Sequence, residues 1–61
     1  MNITNLVTLK DEIKDMPSVK GKGQLIKQID NDIKFLRKYK STPDLIDKIY
    51  SNRIKDMNNL G

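Results

Sequence analysis

The chain contains no cysteine, no histidine, no tryptophan and no alanine, and Glu12 is its only glutamate. Each absence closes a route. Without cysteine, no disulfide can brace a chain of 61 residues. Without cysteine or histidine, the usual zinc ligand sets cannot be assembled. A domain of this length buries only about 60% of the surface its unfolded chain exposes. Stability therefore has to come from helix packing or from self-association. The common general bases and nucleophiles are missing as well, and Ser18, Ser41 and Ser51 have no histidine to activate them. The expectation is a protein that is not an enzyme and uses no cofactor and no metal.

Long apolar runs are also lacking. The longest uncharged stretch, Met1 to Leu9, is interrupted by Asn and Thr and falls far short of the roughly 20 apolar residues of a membrane span. The N-terminus does not show the basic-then-apolar order of a secretory signal, so a cytoplasmic location is expected. The glycosylation pattern Asn2-Ile3-Thr4 is then a chance occurrence. Ten lysines face two arginines, and Ile, Lys and Asn make up 24 of 61 residues. This is the bias of an AT-rich coding genome, as in a low-GC bacterium or one of its phages.

What is present is helical periodicity. Hydrophobic residues make 36% of the chain and charged residues 33%, a globular balance. From about residue 4 to 16, Leu6, Leu9, Ile13 and Met16 repeat at 3-4-3 spacing, with Asp11, Glu12 and Asp15 turned away. Asn2 or Thr4 can cap the start, and Pro17 removes Met16 from the α region. From about 22 to 40, Leu25, Ile26, Ile29, Ile33 and Leu36 fall within roughly 100° of arc, opposite Lys27, Lys34 and Lys38. Thr42-Pro43-Asp44 opens a third helix, about 43–59, with a good cap, a proline at the first position and a carboxylate at the positive end of the dipole. Its apolar arc (Leu45, Ile46, Ile49, Tyr50, Ile54, Met57, Leu60) covers nearly half the wheel. A single all-α domain over residues 1–61, a small three-helix bundle, follows. The alternative is a long helical hairpin plus an N-terminal helix, assembling as a homodimeric bundle.

The linker, residues 17–23, contains Lys20-Gly21-Lys22-Gly23, superficially a phosphate-gripping loop. A P-loop needs a glycine five residues earlier and a hydroxyl after the lysine; both are missing, and a helix precedes where a strand is required. The loop reads as a joint. Asp30-Asn31-Asp32 begins like a calcium loop, but the glycine and the closing glutamate are absent.

Charge is unevenly distributed. Residues 17–40 carry +5, from Lys20, Lys22, Lys27, Lys34, Arg37, Lys38 and Lys40 against Asp30 and Asp32; residues 1–16 carry −1 and residues 41–61 are neutral. A basic helix face can neutralise phosphates, yet arginine, the commonest reader of guanine, is scarce. The junction of the second and third helices resembles a helix-turn-helix only in its short turn, since its second helix has no net charge. Two features break the local pattern. Arg53 stands inside the apolar arc of the third helix, and Phe35 with Tyr39 flanks the stripe of the second. Arginine and tyrosine are enriched at binding hot spots.

The expected function is binding. The first reading is a protein-binding module, an inhibitor or regulator of a larger host protein, with Phe35, Tyr39, Tyr50 and Arg53 as anchors. The alternative is sequence-independent nucleic-acid binding through Lys20, Lys22, Lys27, Lys34 and Lys38.

Overall fold

A computed structural model describes residues 2–39 and 42–61. It contains three helices, α1 (Ile3–Lys14), α2 (Lys22–Lys38) and α3 (Pro43–Asn58), and no strand among the described residues. The chain is a three-helix bundle of 33 × 17 × 15 Å with all three helices in mutual contact. Helix α1 packs in cis on α2.

Local chemistry sets the helix ends. Asn2, rather than Thr4, is the cap of α1: its side-chain oxygen accepts from Thr4 N at 2.9 Å. The helix stops at Lys14, two residues before the expected end, because Asp15 caps it and Met16 must be extended ahead of Pro17. At α3, Thr42 Oγ1 accepts from Leu45 N at 3.2 Å, Pro43 occupies the first turn and Asp44 faces the dipole, as the local sequence signals. Helix α2 ends at Lys38, with Tyr39 already extended (φ −112°, ψ 148°); the expected end at Lys40 lies outside the described residues.

The joint before α2 turns on Gly21, whose φ of +88° lies in the left-handed region. An L side chain there is strained, and its Cβ would also meet Leu60 Cδ2 at 3.4 Å. Gly23, by contrast, is inside the first turn of α2 with open space around it.

Among the described residues, the core is made entirely of leucine and isoleucine. Leu6, Leu9 and Ile13 come from α1, Leu25, Ile29, Ile33 and Leu36 from α2, and only Ile46 from α3. The rest of the broad apolar arc of α3 (Ile49, Tyr50, Ile54, Met57, Leu60) is half-buried against this cluster. The largest interface is α1 on α2, and the smallest is α1 on α3. The apolar faces of α1 and α2, spaced by three and four residues, thus build one dense seam, and α3 leans on it.

Truncating the centre should therefore cost far more than truncating the lean-to helix. Ile29→Ala is expected to lose about 3 kcal/mol by cavity formation, a large part of the roughly 3–9 kcal/mol available to a domain of this length. Ile54→Ala, already part-exposed, should lose about 1 kcal/mol. Urea denaturation followed by far-UV circular dichroism separates the two, and equal losses would contradict the asymmetry.

Candidate functional site

The four expected protein-binding anchors separate into two pairs. Phe35 and Tyr39 are exposed, at 51% and 52% of their surfaces. Phe35 lies in the last turn of α2 and Tyr39 is the residue just past its end, with ring centroids 4.8 Å apart and planes tilted by 42°, a favourable aromatic geometry. Lys38 Nζ sits 5.6 Å from the centre of the Tyr39 ring, within cation–π range. Tyr50 points inward and packs on the core cluster. Arg53 is also turned inward, with only 14% of its side chain exposed.

Arg53 is the polar pin between α3 and α2. Its Nε donates to Asp32 Oδ2 at 2.8 Å, and its Nη1 donates to Asp56 Oδ2 one turn along α3. With the amide oxygen of Gln28 turned to the guanidinium, Gln28 accepts from Nη1 and Nη2 at 3.1 and 3.2 Å. A planar guanidinium offers its donors from three separate nitrogens and so spans these acceptors, whereas an ammonium offers its three donors from one point. The arginine that interrupts the apolar arc is thus spent inside the molecule, across the α2–α3 seam.

The basic residues divide similarly. Lys22 Nζ donates to the carbonyls of Lys14 and Met16, so it caps the C-terminal end of α1 and complements its negative pole. Lys34 pairs with Asp30 at 3.4 Å while staying 74% exposed. Lys20, Lys27 and Lys38 are exposed, and Lys40 lies outside the described residues. Lys10 crosses from α1 to Asp30 at 2.9 Å, a pair with no signal in the sequence periodicity. Its hydrogen bond, followed by that from Lys34, holds the Asp30 carboxyl below its ordinary value of 3.8, against a smaller opposing push from desolvation.

A feature that sequence reasoning missed is a groove between α2 and α3. A shallow cavity of about 200 Å³ is lined by Gly21, Gln24, Leu25, Gln28, Asp56 and Leu60, so none of its walls comes from α1. Gln28 stands about 200° around α2 from Asp30, which faces α1; the groove is on the far side of the bundle. Phe35 continues the Gln24–Gln28 line up α2 at spacings of four and seven, and Leu45 lies eleven residues from Asp56 on α3, three turns along the same flank. Leu45, 38% exposed, joins Phe35 and Tyr39 as the large exposed hydrophobics. Counting Leu45 with the core arc hid it, because it sits at the very margin of that arc.

Among the described residues no three metal-ligating side chains gather, and no helix is long and apolar enough to cross a membrane.

Two stability outcomes follow. Arg53→Ala leaves Asp32 without its partner and should cost about 2 kcal/mol, of which Arg53→Lys recovers only part; urea titration of the three proteins measures it. The Asp30 pairing stabilises the fold fully above the ordinary carboxyl value of 3.8 and is lost as pH falls through the lower folded-state value. The stability gap between the wild type and Asp30→Asn should therefore be constant above that value and close below it. A gap that persists at the acid end would contradict the pairing.

No protein-family model, curated protein or solved structure matches this chain.

Proposed function

We propose that the chain is a non-enzymatic protein-binding module whose contact surface is the end of α2 and the start of α3. The single observation that carries this is the exposure of Phe35, Tyr39 and Leu45 together between positions 35 and 45. Fully burying a large apolar side chain is worth about 1.5–3 kcal/mol, and a fold with so small a core leaves three of them 38–52% exposed. Tyrosine is a frequent hot-spot residue. Tyr50, packed on the core, and Arg53, held by Asp32 and Asp56, are left out of this contact surface. A small inhibitor or regulator of a larger host protein, encoded by a low-GC bacterium or a phage, fits the size and composition.

A second reading draws on a separate observation. Lys27 and Lys38 are exposed, and with Lys34 they form one stripe on α2, which could neutralise phosphates without reading sequence.

The two readings respond to different variants. Capture of a host protein by the tagged chain should fall at least tenfold with Phe35→Ala or Tyr39→Ala, and survive Lys27→Gln/Lys34→Gln/Lys38→Gln with a smaller loss. Duplex DNA bound at low salt, released as salt rises and lost in the triple glutamine variant, with no effect of Phe35→Ala, would instead establish the second reading.

A further inference from the structure

We propose that the outward face of α2 binds an unpaired nucleic-acid strand, with phosphates on Lys27, Lys34 and Lys38 and a base stacked on Phe35. This deepens the second reading above, from a stripe that meets any phosphate backbone to a face that prefers a single strand, and it rests on that reading.

The face is defined by helical position. At 100° per residue, Lys34, Lys27, Lys38, Asn31 and Phe35 succeed one another around α2 within an arc of about 100°, and all five are exposed. No carboxylate falls inside that arc. Asp30 and Asp32 lie beyond it on either side, one held by Lys10 of α1 and the other by Arg53 of α3. Lys27 and Lys38 make no ion pair with any described residue. Lys34 meets Asp30 at 3.4 Å with 74% of its side chain exposed, a surface pair that a phosphate displaces at little cost. From Lys27 to Lys38 the stripe runs about 16 Å along the helix axis.

The rings select the occupant. Phe35 stands half-exposed at the edge of the stripe, and Tyr39 backs it with ring centroids 4.8 Å apart. Lys38 Nζ lies 5.6 Å from the centre of the Tyr39 ring, so a cation flanks the place where a base would stack. Lysines that track a backbone beside an exposed aromatic ring are the means by which proteins hold single strands without reading sequence. In a duplex the base faces are already stacked on one another, and the rings gain nothing. A lipid surface would find two rings among lysines and an amide, far less apolar area than an interfacial helix presents. A second copy of this chain would set lysines against lysines.

The test uses the full chain, isotope-labelled for amide NMR, and three probes at low salt. The first is oligothymidine of about 12 nucleotides; the second is the abasic sugar–phosphate strand of the same length; the third is oligoglutamate of equal charge. Oligothymidine should shift the amides of Asn31, Lys34, Phe35 and Lys38 and bind about fivefold or more tighter than the abasic strand. Phe35→Leu, which keeps an apolar side chain and loses the ring, should bring the two strands to one affinity, its amide spectrum elsewhere unchanged. The logarithm of affinity should fall against that of salt with a slope of about −2, roughly −0.7 for each of the three lysines. Lys27→Gln/Lys34→Gln/Lys38→Gln should abolish binding of both strands. Equal affinity of the abasic strand and oligothymidine for the wild type, or full affinity in Phe35→Leu, overturns the base contact and leaves the phosphate-binding reading standing. Oligoglutamate bound as tightly as oligothymidine, or shifts on another face, overturns the nucleic-acid assignment of this face. No shift with either strand overturns the proposal and the second reading together.

Discussion

The rest of the molecule depends on how few side chains it can bury. Among the described residues, eight leucines and isoleucines make the core, and seven of them belong to α1 and α2. That seam is dense: Leu6, Ile13 and Ile29 retain no accessible surface at all. With no cysteine to form a disulfide, the hydrophobic contact of α1 with α2 is where the folding free energy is concentrated. The third helix contributes Ile46 and a half-covered apolar arc, so burial alone holds it less firmly.

Polar contacts make up part of that difference. Arg53 joins Asp32 on α2 to Asp56 on α3 through one guanidinium, and Thr42 and Pro43 start α3 in the right direction. Ion pairs cost desolvation as well as giving attraction, so their effect here is mainly to fix how α3 sits. The consequence is a molecule with two unlike sides. One side of the α2–α3 pair is sealed by α1. The other has a shallow cavity lined by Gln24, Gln28 and Asp56 near Gly21, and the half-exposed Phe35, Tyr39 and Leu45 stand toward the far end of α2. The asymmetry of the core and the exposed surface are the same fact seen from inside and outside.

Much of the fold was legible because its determinants are local or periodic. The 3-4 spacing of Leu25, Ile29, Ile33 and Leu36 identifies both α2 and its buried face, and Thr42-Pro43-Asp44 marks the start of α3 to the residue. Pro17 announces the end of α1, although Asp15 closes it slightly sooner. What the sequence hid are pairings between distant positions. Nothing local says that Arg53 will find Asp32, that Lys10 will find Asp30, or that Lys22 will reach back to the carbonyls of α1. The site suffered for the same reason. Phe35 and Tyr39 were visible as a flank, whereas Tyr50 and Arg53 looked equally available until the packing turned them inward. Leu45 looked buried until its place at the arc margin left it outside.

Amide hydrogen exchange on the free protein examines this division of stability most directly. If the α1–α2 seam carries the fold and α3 leans on it, the slowest amides will lie around Leu9, Ile13, Ile29 and Ile33, and α3 will exchange through openings of lower free energy. Equal protection across all three helices, with α3 opening only when the whole chain unfolds, would contradict the account.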